Sequence, residues 1–179
     1  MLAIIHDDHI NMSRLLKILT QKIVLLKKDE KIDFRLLETI ITYLRSYSDK
    51  YHHPLEDLIY DYYINHYGAA SDTVSHLSEQ HKELKKVTVE LDELLNMVLL
   101  DAVVPKDQCT EKLQNFVDLQ SAHLTYEEQE VLPLIKETLS PQDWTKIGQQ
   151  WQHKDHEDPL FGDKVSQQYR KLADIIEQM

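Results

Sequence analysis

The feature that most constrains this chain is an apolar spacing built from steps of three and four that recurs in four long stretches. The first reads Ile5, His9, Met12, Leu16, Leu19, Ile23, Leu26. The second reads Phe34, Leu37, Ile41, Leu44, Ser48, His52, Leu55, Ile59, and the third Val74, Leu77, His81, Leu84, Thr88, Leu91, Leu95, Val98. The fourth reads Leu113, Phe116, Gln120, His123, Glu127, Val131, Leu134. Residues three and four apart share one side of an α-helix, so each stretch turns a single stripe toward a common core. Every stripe also carries a histidine at a position where packing alone would favour leucine.

Punctuation residues divide the stretches. The patterns predict helices over about Leu2–Lys28, from an N-cap at Asp33 to about His66, from a cap at Ser71 or Asp72 to about Leu100, and over about Lys106–Thr138. Gly68 and Pro105 mark breaks. Ser140-Pro141-Gln142-Asp143 reads as a cap with proline at the first helical position, opening a short fifth helix. Asp158-Pro159 and Gly162 mark a last break before a helix ending near Met179. Only three glycines in 179 residues reinforce the helical reading. Short connections make neighbours antiparallel. The expected fold is therefore all-α: an up-down-up-down antiparallel four-helix bundle over residues 1–139, with residues 140–179 as a C-terminal helical extension packed on it.

Composition removes several function classes. A net charge of −11 without a basic stripe argues against a nucleic-acid partner. No apolar run approaches 18 residues, so no membrane span is expected. Cys109 is the single cysteine, which precludes an intrachain disulfide and fits a reducing compartment. The apolar start is too short for a signal peptide, and a cytoplasmic protein is expected. Glycine is too sparse for a phosphate-cradling loop, and no Ser-His-Asp arrangement is visible.

The histidines repeat with order. His52 and Glu56 are four apart, as are His123 and Glu127, while His9 and His81 stand alone on the preceding stretches. His9 precedes His52 by 43 positions and His81 precedes His123 by 42, so one pattern occurs twice, as a pseudo-two-fold site would require. A lone core histidine is usually a packing residue. Four histidines and two glutamates converging on one core are different, because buried carboxylates without partners cost several kcal/mol each and cations remove that cost. Imidazole and carboxylate together suit iron, manganese, zinc or cobalt and not an all-oxygen calcium site. Six ligands exceed one tetrahedral zinc but divide between two metals.

The segments His52-His53-Pro54-Leu55-Glu56-Asp57 and His123-Leu124-Thr125-Tyr126-Glu127-Glu128-Gln129-Glu130-Val131-Leu132-Pro133 resemble the hemerythrin-like HHE cation-binding domain. His6-Asp7-Asp8-His9 and Glu79-Gln80-His81 are similar to that family's signatures on its first and third helices, and the resemblance spans about residues 3–138. The tail Asp158-Pro159-Leu160-Phe161-Gly162, with Tyr169 and Leu172, is similar to the endings of bacterial members. The resemblance implies a centre of two iron ions, with zinc or manganese as substitutes, held by His9, His52, Glu56, His81, His123 and Glu127. It also implies O2, NO or another small ligand at the metals. Oxygen carriers of the family place a second histidine four positions before the one on the third helix; here Leu77 occupies that position. The expected count is then four histidines, which argues against lasting reversible O2 carriage.

Other residues leave alternatives open. His53 with Asp57 offers a rival His-x-x-x-acid register, or His53 supports the ligands from outside. His6 reads as a surface or supporting group. His153, Asp155 and His156 read as a solvated loop before a metal site. Tyr60, Tyr62, Tyr63 and Tyr67 read as interface packing, with a redox-active tyrosine as the sharper reading. Function divides among an O2-, NO- or iron-binding sensor, an oxidoreductase handling peroxide or NO or repairing iron-sulfur clusters, and a structural zinc or manganese bundle. A homodimer is an open expectation.

Overall fold

The computed structural model describes residues 1–68, 72–153 and 156–179, and the described residues are helical without strands. Helix α1 spans Leu2–Lys27, and α2 (Phe34–Tyr47) continues through a π-helical turn at Ser48–His52 into α3 (His53–Tyr67). A short α4 (Asp72–Ser75) precedes α5 (Leu77–Leu99). Helix α6 (Lys106–Tyr126) passes through a second π-helical turn at Glu127–Val131 into α7 (Leu132–Thr138). The chain ends with α8 (Pro141–Gln150), a 3-10 turn at Gln167–Tyr169 and α9 (Arg170–Glu177).

The caps follow the sequence. The Asp33 side chain accepts from the Arg35 and Leu36 amides, and Ser140 with Asp143 forms a capping box behind Pro141. Ser71 and the side chain of Asp72 lie outside the described residues. Asp29 and Asp101, each twenty residues after a core histidine of its helix, take a left-handed φ of 59° at the turns ending α1 and α5. Aspartate tolerates that conformation better than most side chains.

Packing closes a ring: α1 lies on α6, α6 on α5, α5 on α2, and α2 on α1. Helix α8 packs on α3, and α9 packs on α2. Side-chain hydrogen bonds tie the C-terminal segment to the bundle, among them Lys171 to Asp33 at 2.6 Å. Tyr62 and Tyr67 each donate a 2.6 Å hydrogen bond to Asp143, and Tyr43 donates one of 2.7 Å to Asp158. The core is not continuous. One apolar cluster holds Met12, Leu16, Leu19, Leu37, Leu113 and Phe116; the other holds Ile5, Leu55, Ile59, Leu77, Val131 and Ile135. The histidines fall between them in sequence on every long helix, as a polar layer across an apolar bundle.

Candidate metal centre

Local backbone geometry explains how so many polar side chains enter one layer. A proline inside a helix has no amide to donate, and its ring collides with the carbonyl four residues back. Pro54 and Pro133 each sit two residues beyond a π-helical turn, where the His53 amide reaches back to Ser48 and the Leu132 amide to Glu127. The wider turn takes up one extra residue. Around the first turn this brings His52 and His53 inward together, with Leu55 and Glu56 following, and all four are buried.

The six residues expected as ligands are brought together. His9, His52, Glu56, His81, His123 and Glu127 are all buried, and both glutamates are fully inaccessible to solvent. Two clusters of ligand atoms form, each with its members within 4.8 Å of one another: His9, His52, Glu56 and Glu127, and His53, Glu56, His81 and His123. Glu56 belongs to both. Its Oε1 lies 3.2 Å from Nε2 of His9 and of His52, and its Oε2 lies 3.5 Å from Nε2 of His81. Glu127 likewise touches both, with Oε2 at 3.2 Å from His123 Nε2 and 3.4 Å from His9 Nε2.

His53 changes the expected count. It is buried within the second cluster and stacks on His81 with ring centroids 4.2 Å apart, so five imidazoles converge where four were expected. Asp57, its rival partner in the sequence, is half-exposed and instead accepts from His81 Nδ1 at 2.9 Å. Leu77 is fully buried in apolar surroundings. A fifth ring thus reaches the layer from α3 and not from the Leu77 position. The signal was the His-His pair just before Pro54, readable only once the proline is recognised as forcing an extra residue into the turn.

The outer nitrogens are held. His9 Nδ1 donates to Glu128 at 2.7 Å, His52 Nδ1 to Asp8 at 3.1 Å, and His123 Nδ1 to the Gln80 side-chain oxygen at 3.0 Å. With Nδ1 carrying the proton, Nε2 presents its lone pair inward, as a metal-ligating histidine does. Asp8, Gln80 and Glu128 appear in the sequence motifs and Asp57 as a rival acid, but their role as outer partners is not legible there because they lie beside the stripes and not on them. Tyr60 also enters the layer, donating a 2.9 Å hydrogen bond from its buried hydroxyl to Glu127 Oε1. His6 is exposed and shares Glu128 at 3.0 Å.

Without a cation this arrangement is poorly satisfied. Nε2 of His52, His53, His81 and His123, Oε2 of Glu56 and Oε2 of Glu127 are buried with no hydrogen-bond partner. The short N···O approaches within the layer are not aligned as hydrogen bonds, apart from His9 Nε2 with Glu56. The titration behaviour shows the strain. Burial opposes a charge on His9, yet Glu127 and Glu56 together outweigh it and raise its pKa to about 10. Burial opposes one on His81 too, and Asp57, Glu127 and Glu56 raise it to about 10. Burial lowers His123 to about 4 and His53 well below the usual imidazole range. Burial and the nearby Glu127 raise Glu56, while His123, His81 and His9 overcome burial to hold Glu127 well below the usual range. Protons on two histidines thus do part of what cations would do. Six orphaned atoms of nitrogen and oxygen type, converging from three helical stretches and joined by His9 from α1, fit a pair of borderline metal ions.

Other sequence candidates fall elsewhere. His156 stacks on Tyr51 at 3.2 Å between centroids and His153 meets the same ring edge-on at 5.4 Å, while Asp155 lies outside the described residues. Tyr62, Tyr63 and Tyr67 serve packing and the Asp143 tie. An open groove of about 840 Å³ between α1 and α6 reaches His9 and Glu128. No helix of the described residues is long and apolar enough to cross a membrane.

The family model described as hemerythrin HHE cation binding domain matches residues 1–135. No curated protein and no solved structure matches the chain.

Proposed function

The chain belongs to the hemerythrin HHE cation-binding family, and from that premise we propose that it is a cytoplasmic non-haem di-iron protein that binds or senses O2, NO or iron itself. The bundle would be of the up-down-up-down antiparallel type, with residues 140–179 as an extension packed on it. The single observation that carries the reading is the set of buried, unpartnered Nε2 and carboxylate oxygen atoms that meet in one layer.

The division of labour follows from the two clusters. His9 and His52 would serve one metal, His53, His81 and His123 the other, and Glu56 would span both. Iron, when bound, supplies reversible one-electron chemistry and open coordination positions for a small ligand. The chain supplies the rest. The two carboxylates offset cationic charge in a place where water cannot. Hydrogen bonds at Nδ1 of His9, His52, His81 and His123 fix the tautomer and the ring orientation. The apolar clusters on either side exclude bulk water, while the groove beside His9 offers a short path for a diatomic ligand.

Anaerobic purification from iron-replete cells, with elemental analysis and optical spectra before and after admitting air, tests the proposal. Two irons per chain and an air-dependent visible spectrum are expected. A stoichiometry near one, or zinc alone, defeats it. A second reading, an oxidoreductase acting on peroxide or NO, draws on the Tyr60 hydroxyl beside Glu127; catalytic turnover of either compound separates it from a sensor.

A further inference from the structure

The histidines of the two clusters are not backed alike. In the cluster of His9 and His52, each ring donates its Nδ1 proton to a carboxylate, Glu128 at 2.7 Å and Asp8 at 3.1 Å. Asp8 is itself buried and held by the Tyr47 hydroxyl at 3.0 Å, so its charge stands at a fixed place. Glu128 is only partly exposed and shared with His6. In the cluster of His53, His81 and His123 the support is weaker. His81 donates to Asp57, a half-exposed carboxylate whose charge is screened by solvent. His123 donates to Gln80, a neutral amide. His53 has no side-chain partner at its outer nitrogen among the described residues.

A carboxylate accepting the Nδ1 proton pushes electron density into the ring, making Nε2 a better donor; an amide does this less. Glu56 is common to both clusters and cannot create a difference. Glu127 approaches both, and its Oε1 is partly engaged by Tyr60. The clusters differ in their inner groups, with Glu127 grouped with His9 and His52 and three imidazoles meeting in the other, and behind those groups in Asp8 and Glu128 against Gln80 and a solvent-screened Asp57.

Resting on the dinuclear reading above, we propose that the two metal positions differ in affinity, that the His9–His52 position fills first, and that Asp8 and Glu128 set this order as positioning residues. The chain would then hold one metal firmly and exchange the other, and divalent cations of different kinds could occupy the two positions in sequence. Loss of an outer carboxylate partner typically weakens metal affinity roughly 10- to 100-fold, which sets the size of the gap.

Anaerobic titration of the metal-free protein with Co2+, followed by calorimetry and by visible absorption, reads the order directly. Two steps are expected, the first at least about 10-fold tighter than the second. Asp8→Asn and Glu128→Gln should each weaken the first step by about that factor and leave the second nearly unchanged. Gln80→Glu adds charge where none is now and should tighten the second step, narrowing the gap; it removes no existing tie of Asp8 or Glu128, so it tests the idea even if those variants fold poorly. Two equivalents bound in one indistinguishable step, or equal weakening of both steps by Asp8→Asn, overturns the order while leaving the dinuclear reading intact. Fewer than two equivalents bound by the parent protein defeats both.

Discussion

Replacing His53 with leucine should move stability in opposite directions with and without metal. In the metal-free protein His53 is buried, held neutral, and leaves Nε2 without a partner. A buried unsatisfied polar atom costs about 1–3 kcal/mol, and an apolar replacement of similar size removes that cost at up to about 1.5 kcal/mol of repacking. The net gain is about 1 kcal/mol, or a rise in Tm of about 2–4 °C for a chain of this length. With metal present the same change deletes a ligand of the second cluster. Affinity should fall at least about 100-fold, so saturating metal stabilises the variant by about 2.7 kcal/mol less than the parent. Thermal melts in chelator and in excess Zn2+ test both halves. A metal-free variant that melts below the parent would show that His53 is satisfied in the unloaded protein. An unchanged metal-induced rise in Tm would show that His53 is no ligand.

Glu56→Ala and Glu127→Ala should each lower metal content to one equivalent or less by elemental analysis, since each carboxylate touches both clusters; full iron in either variant refutes the bridging assignment. In the metal-free protein His9 and His81 have pKa values raised to about 10, so the stability they contribute is fully present below their unfolded value near 6.5. That contribution should be lost as pH rises from about 6.5 through 10, and urea melts across that window that show rising stability would contradict it. Metal loading at neutral pH displaces those same protons, and calorimetry in buffers of different ionisation enthalpy should find about two or more released per metal pair; release of none refutes the charge state drawn above. Tyr60→Phe removes the hydroxyl on Glu127 and should shift the redox midpoint and visible spectrum of the loaded centre while leaving its two equivalents of metal. Unchanged spectra would reduce Tyr60 to a packing residue.

The all-helical class and the stripe that each long helix turns toward the core were readable in the sequence because the three-four spacing is long and unbroken by glycine. The caps at Asp33 and Ser140 were readable because cap chemistry is local. The turns around Pro54 and Pro133 were not, because a fixed helical period assigns one inward residue where a π-helical turn admits two. A fixed period therefore sets His53 against His52, whereas the structure buries both. The partners of the outer nitrogens were hidden for another reason: Asp8, Asp57, Gln80 and Glu128 look like the solvated flank of an amphipathic helix until a neighbouring helix brings a histidine to each.

The two wide turns also bear on how this bundle tolerates changes of length. Each already contains one residue more than its helix requires, so deleting one residue within Ser48–His52 could restore an uninterrupted α-helix without breaking the backbone. The wide turn absorbs that residue by rotating less at each step, so what lies beyond the cut would keep nearly its present phase, with Glu56 still in the layer and Tyr62 and Tyr67 still beside Asp143. The loss would fall on the turn itself, where His52 and His53 now both face inward. The extra residue is thus a local loop of slack that lets two neighbouring rings enter the layer while the distal half of the helix stays in place.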